Sequence, residues 1–163
     1  MKGEKSKMNI RQAEKKDLDS ICIQYENMYT ILQGFGFPYS VNEGIIVDIL
    51  DVFIKSKLYC VVVAEQDEII CGFICASINK LDRKLETETE KYVGIINDIY
   101  VEEQYRGRHI AQQLLEYAEE WIDELGINSV RADIVTNNTS AFNFWSKQGY
   151  APLYTSVYKN LDC

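Results

Sequence analysis

The sequence predicts a single α/β domain, with a mixed β-sheet carrying helices on both faces. Three observations lead there. Short apolar runs rich in Val, Ile and Cys interchange with longer segments whose apolar residues recur at three and four positions, the marks of strands and of helices. Two runs, 58–65 and 69–78, are separated by only three residues, so they fold back as an antiparallel hairpin. Two others, 92–101 and 129–135, are joined through a helical segment, so they lie parallel. The expected element order is β-α-α-β-β-β-α-β-α-β.

Residues 8–13 read as the first strand. In the next segment Leu18, Ile21, Cys22, Tyr25, Met28, Tyr29 and Leu32 share one helical face. Gly34-Phe35-Gly36-Phe37-Pro38 ends that helix and forms an aromatic loop. Ser40-Val41-Asn42-Glu43 has a capping-box pattern, with Ile45, Ile46, Ile49, Leu50 and Phe53 as the apolar positions of a second helix. The hairpin strands follow, turned by Gln66-Asp67-Glu68, and then a charged loop, 80–90. Strand 92–101 leads through a basic turn into helix 107–125. Its stripe is Ile110, Ala111, Leu114, Leu115, Ala118, Trp121, Ile122 and Leu125, and Gly126 stops it. Strand 129–135, helix 139–148 with Gly149 behind it, and a last strand 150–158 complete the chain. No repeat or linker divides it, so residues 8–163 form one domain behind a short flexible tail, 1–7.

Length and composition suit one soluble domain with a substantial core: 163 residues, 47% hydrophobic and 26% charged. No apolar run approaches the ~20 residues needed to cross a bilayer, and the charged N-terminal segment lacks the apolar centre of a secretory signal. Five cysteines occur without a Cys-x-x-Cys pair, and His109 is the only histidine. That pattern argues against a zinc site and for buried free thiols in a reducing, cytoplasmic setting. Lys plus Arg number 17 and Asp plus Glu 25, a net charge of −8. This argues against nucleic acid as a partner, which requires a broad basic surface. It inclines the reading toward cationic substrates, although solubility alone explains the same charge.

The most informative stretch is Val101-Glu102-Glu103-Gln104-Tyr105-Arg106-Gly107-Arg108-His109-Ile110-Ala111. It closes a strand and opens an amphipathic helix. A basic, glycine-containing turn there can aim free backbone N–H groups at one spot, which is how a helix N-terminus holds phosphate. A bare Arg-Gly-Arg is more simply a solvated turn. The strand before it and the stripe behind it favour the cradle.

The same turn, Arg106-Gly107-Arg108-His109-Ile110-Ala111, resembles the Arg/Gln-x-x-Gly-x-Gly/Ala motif of the GNAT superfamily of acyl-CoA-dependent N-acetyltransferases. Asn97-Asp98-Ile99-Tyr100-Val101 resembles the strand before that motif. Asn138-Thr139-Ser140-Ala141-Phe142-Asn143-Phe144-Trp145-Ser146-Lys147-Gln148-Gly149-Tyr150 resembles the second signature, Asn-x-x-Ala-x-x-x-Tyr-x-x-x-Gly-Phe. The resemblance implies a mostly antiparallel sheet splayed at a central parallel pair. It implies acetyl-CoA as acyl donor, no metal, and allows a homodimer. It places the pyrophosphate on Arg106, Gly107, Arg108, His109, Ile110 and Ala111. The pantetheine arm then runs between Ile99, Tyr100 and Val101 on one side and Asn138, Ala141 and Trp145 on the other. Two positions depart from the pattern: His109 stands where glycine is usual, and Trp145 where tyrosine is usual.

Acetyl transfer to an amine needs a proton acceptor, an oxyanion donor and a tolerated thiolate. Asp98 is the first candidate base, directly or through water; it also reads as a substrate-binding carboxylate or as a surface charge at a strand bulge. Asn97 is a polar orienter. For a general acid the candidates are Tyr150, then Tyr154 and Tyr158, and a mechanism without a dedicated acid is also open. The acceptor site is expected at the aromatic loop and first helix, with Tyr29 and Phe35 foremost and Tyr25, Phe37 and Tyr39 beside them; Tyr25 also reads as core. The expected activity is acetyl transfer to a primary amine of a small cationic molecule. A protein N-terminus or lysine is the alternative acceptor, and a non-catalytic acyl-CoA-binding module the alternative class. No nucleic-acid or membrane partner is expected.

Overall fold

Five strands pair in chain order, β1 (Asn9–Gln12), β2 (Tyr59–Gln66), β3 (Ile69–Lys80), β4 (Tyr92–Val101) and β5 (Val130–Ala132). The first four are antiparallel neighbours, and β5 runs parallel to β4. This computed structural model describes residues 7–162; the expected tail lies outside them but for Lys7. Helices α1 (Leu18–Gly34) and α2 (Ile46–Lys55) cover one face of the sheet, and α3 (Ile110–Glu124) with α4 (Thr139–Lys147) covers the other.

Strand pleating explains the two cores. Successive side chains point to opposite faces. Along β2, Val61 and Val63 therefore join Leu18, Ile21, Tyr25 and Leu50 of the first two helices, while Val62 and Ala64 join Leu114, Leu115, Ala118 and Ile122 of α3. With both faces covered, the central strands read as continuous apolar runs. Cys22, Cys60, Cys71 and Cys75 are buried and unbridged within this packing.

One irregularity positions the site. In the β3–β4 ladder Cys75 pairs with Asp98 but Ala76 pairs with Ile96, so Asn97 is an extra residue, a β-bulge. Before it, Gly94 and Ile96 face α3. After it, Asp98 and Tyr100 face α1, although both lie an even number of residues from Ile96. The parallel ladder to β5 pairs Gly94, Ile95 and Ile96 with Val130, Arg131 and Ala132, then stops. From Asn97 to Val101, one edge of β4 therefore has no strand beside it among the described residues.

Several expected boundaries move for local reasons. The hairpin turns on two residues rather than three: Asp67 and Glu68 have φ of 52° and 64°, the mirror-image turn that matches strand twist. The second helix starts at Ile46, and the Ser40 capping box is not formed. Asn42 closes its own turn instead, its carbonyl accepting from the N–H groups of Ile45 and Ile46 and its side chain from Gly44. The third helix starts at Ile110 rather than Gly107, because Gly107 and His109 adopt left-handed backbone. The fifth strand keeps three of its seven expected residues, since β4 departs at the bulge. The last expected strand, 150–158, does not form; no strand of the sheet pairs with it, and Leu153, Tyr154, Val157 and Tyr158 stay exposed.

Glycine is required where β3 passes the end of β4. A Cβ on Gly72 would lie 2.5 Å from the Tyr100 carbonyl oxygen, so the strands must part to admit one. Gly72→Ala is expected to lower the unfolding free energy by about 1–3 kcal/mol, read as a fall in the urea midpoint.

Candidate active site

The turn after β4 is built to leave donors free. A short 3-10 turn, Glu103–Tyr105, bends the chain, and Arg106 Nε donates to the Val101 carbonyl at 2.9 Å, clamping the turn to the strand end. Gly107 (φ 75°) and His109 (φ 59°) are left-handed, with Arg108 between them. Among the described residues, none of the backbone N–H groups of residues 107–112 has a protein acceptor; the first helical bond runs from Gln113 N–H to the His109 carbonyl at 3.1 Å. Six consecutive free donors at the positive end of a helix dipole form a ready anion cradle. Arg108 donates to the Gln104 carbonyl at 3.3 Å and lies 5.4 Å from the Tyr105 ring centre. Each arginine thus spends one donor on the turn and keeps others for a ligand. The His109 side chain is exposed.

Beyond the cradle lies the unpaired edge of β4, with Ile99 and Val101 packed toward α3 and Tyr100 turned toward α1. Across from it, Asn138 caps α4, its side-chain oxygen accepting from Ala141 N–H at 3.1 Å. The N-cap reading and a ligand role coexist, because the Asn138 amide nitrogen keeps both its hydrogens. Trp145 is buried in the α3-side core, packed edge-on to Phe144 and Tyr150 at 5.2 and 4.7 Å between ring centres. Its indole N–H meets no acceptor among the described residues.

On the α1 face, Asp98 is the centre of a polar group in an apolar setting. Tyr25 Oη donates to Asp98 Oδ2 at 2.9 Å, and Tyr29 also engages the carboxylate. Burial pushes the Asp98 carboxyl up to about 6, and the two phenols pull against that rise. Burial, reinforced by Asp98, pushes the Tyr25 hydroxyl well above its ordinary value and that of Tyr29 up to about 12. Both phenols therefore remain donors across the working pH range. Asn97, the bulge residue beside them, is exposed.

Aromatic rings continue outward from this carboxylate. Tyr25 packs on Phe73 at 4.6 Å and on Tyr29 at 6.3 Å; Tyr29 meets Phe37 at 5.8 Å, and Phe37 meets Tyr39 at 5.5 Å. Phe37 rather than Phe35 packs edge-on against Tyr29. Phe35 contributes its backbone: Asn137 Nδ2 donates to its carbonyl at 3.2 Å, tying the aromatic loop to the loop before α4.

The structure joins Asp98, Tyr25 and Tyr29, and separately groups Tyr150 with Trp145. The Tyr150 hydroxyl donates to Glu119 Oε1 on α3 at 2.7 Å, and burial followed by that bond pushes its pKa far upward. Its proton is committed there. Tyr154 and Tyr158 lie on the segment after α4, close to Asp133 and to Tyr39 respectively. Tyr25, expected both as core and among the acceptor-site aromatics, is core and also the carboxylate's donor. Asn137 escaped the sequence reading, and no signal marked it.

A family model described as the acetyltransferase (GNAT) family matches residues 25–150. No curated protein matches the chain. Among solved structures, the aminoglycoside N-acetyltransferase AAC(6′)-Iy in complex with CoA superposes with a TM-score of 0.80 at 18% identity, covering 100% of both chains. A predicted acetyltransferase with acetyl-CoA from Clostridium acetobutylicum gives 0.75 at 20% identity, covering 95% of this chain and 97% of that one. Aminoglycoside 6′-N-acetyltransferase AAC(6′)-IG from Acinetobacter haemolyticus gives 0.72 at 20% identity, covering 93% and 97%. At these identities the likeness establishes the fold.

The left-handed backbone at His109 can be tested directly. His109→Val, β-branched at a positive φ, is expected to cost about 1–2 kcal/mol. His109→Gly, free of that strain, is expected to hold or raise stability. Urea midpoints of the two variants decide it.

Proposed function

The chain belongs to the GNAT acetyltransferase family, and we propose that it transfers an acetyl group from acetyl-CoA to a primary amine of a small cationic molecule, by direct attack in a ternary complex. The carrying observation is the placement of Asp98. The bulge that frees the edge of β4 also turns this carboxylate out of the α3-side core and toward the aromatic row.

The residues fit acetyl-CoA in sequence. The N–H groups of residues 107–112, with Arg106 and Arg108, match a diphosphate in number and charge. The edge of β4 between Asn97 and Val101, with the free amide hydrogens of Asn138, can pair with the amides of a pantetheine arm as an added strand would. An N–H on that edge near Ile99 supplies the oxyanion donor. Asp98 accepts the proton of the incoming ammonium, directly or through one water. With a pKa of about 6 it is ionised at neutral pH and still basic enough to help. Because Glu119 holds the Tyr150 hydroxyl, no phenol is assigned to protonate the departing thiolate. A thiol of ordinary pKa, about 8.5 if cysteine-like, leaves tolerably without one.

A cationic acceptor suits both the carboxylate and the ring faces of Tyr29, Phe37 and Tyr39, and the net charge of −8 favours its approach. The aminoglycoside N-acetyltransferases of the same fold agree with a small polyamine-like acceptor. The buried, unbridged thiols suit a cytoplasmic setting. The placement of Asp98 favours an enzyme over a non-catalytic acyl-CoA-binding module.

A melting curve tests the cradle. Acetyl-CoA and CoA, at about 100 times their dissociation constants, add roughly 2.7 kcal/mol of stability, whereas ATP is expected to shift the midpoint little. Gly107→Pro and Ala111→Glu are expected to abolish that shift.

Thiol release across an amine panel tests the base. Asp98→Asn is expected to lower kcat about 10²–10⁴-fold with CoA binding retained. For the wild type, the active form is the carboxylate, so kcat/KM falls as pH drops below about 6. Tyr25→Phe removes a donor that favours the charged form, so the acid limb moves to higher pH. A limb unmoved in that variant removes Asp98 from the base role.

A further inference from the structure

At the end of the sheet away from the anion cradle, β2 carries backbone groups without partners. β1 stops at Gln12, and Ala13 N–H makes the last bond of that ladder, to the Val61 carbonyl at 2.8 Å. Odd-numbered residues of β2 turn their backbone groups toward β1 and even-numbered ones toward β3, since the Leu58 carbonyl takes Ile78 N–H from the β3 side. The Val61 N–H and both backbone groups of Tyr59 therefore face outward past the end of β1. None of the three has a partner there among the described residues. Val61 is only 4% exposed, and a buried orphan N–H is rare enough to call for an acceptor.

That unpaired edge is the floor of a cleft of about 320 Å³, at the lower end of the range for small-molecule sites. Trp121 and Leu125, near the end of α3, wall it on one side; Ile54 and Lys57, at the end of α2 and just after it, wall it on the other. The Tyr59 ring is held flat on Phe53, with centres 3.8 Å apart and planes 8° from parallel, so the cleft is shaped before anything enters it. Lys57 is exposed and, unlike Lys16 and Lys55, has no carboxylate partner among the described residues. Glu120 and Glu124, the carboxylates acting on neighbouring Tyr117, lie on α3. An anion is therefore directed to the Lys57 end and an apolar body to the Trp121 end.

We propose that this cleft is a second binding site, which takes an N-acylated amino acid with an aromatic or branched side chain. Such a molecule answers every open group. Its carbonyl and carboxylate oxygens accept from the Val61 and Tyr59 N–H groups and from the Lys57 ammonium. Its amide N–H donates to the Tyr59 carbonyl, as an added strand residue would. Its side chain lies against Trp121 and Leu125. With only Tyr59 and Val61 open, the edge is too short to hold the strand of a protein partner. The site uses neither the anion cradle nor Asp98, so its occupancy is independent of acetyl transfer.

N-acetylphenylalanine titrated into the full chain, followed by backbone amide shifts, is expected to move the Tyr59 and Val61 signals saturably, with a dissociation constant of roughly 1 mM or below. Its methyl ester, which lacks the anion, and 3-phenylpropanoate, which lacks the amide, are each expected to bind about tenfold more weakly. Lys57→Gln is expected to weaken the parent probe about tenfold and to leave the ester unchanged. Leu125→Glu, which sets a carboxylate in the apolar wall, is expected to weaken both. Melting curves of the two variants are expected to match the wild type, because both side chains are exposed. No saturable shift at Tyr59 and Val61 up to about 10 mM probe overturns the proposal. So does a shift pattern confined to residues 97–111, or a Lys57→Gln chain that binds the parent probe as tightly as the wild type.

Discussion

One extra residue in β4 organises everything the site requires. Asn97 has no partner on β3, so the strand changes the face its side chains present. Without it, Asp98 would point with Ile96 into the apolar packing of α3, where a carboxylate has no donor. With it, Asp98 meets Tyr25 and Tyr29 of α1. The ladder to β5 ends at Ile96, immediately before the same residue, so the backbone that could grip a ligand and the group that could act on it become available together.

Two opposite electrostatic settings flank that strand. At its end, six free N–H groups and two arginines make a locally positive concavity on a chain of net charge −8. At its middle, a half-buried carboxylate is kept ionised at neutral pH with the help of two phenols. The first suits a polyanion and the second a cation, and the freed edge of β4 connects them. The left-handed residues at 107 and 109 are part of this design, because they delay the helix until Ile110 and leave its opening donors unspent. Histidine tolerates that backbone better than a β-branched residue would.

Local pattern and long-range context divided the reading of this chain along physical lines. Strand 92–101 was legible to the residue, because an apolar run with defined breaks at both ends needs no knowledge of its neighbours. The α3 stripe was legible for the same reason. The capping box at Ser40 misled, since Asn42 offered a competing local turn whose hydrogen bonds do not show in a four-residue pattern. The segment 150–158 has the composition of a strand and forms none within the sheet. A strand exists only with a partner edge, and composition says nothing about whether that edge is present. Tyr150, chosen for its place after the second signature, proved bound to Glu119, 31 residues earlier on another helix.

The residues alone were enough for the fold class, the parallel pair and the turn that precedes α3, because each rests on a pattern along the chain. They did not show that Asn97 is a bulge, that Asp98 therefore faces α1, or that Tyr25 holds it. Those facts depend on the register between β3 and β4, set by packing on both faces of the sheet at once, and no single stretch of sequence carries that information.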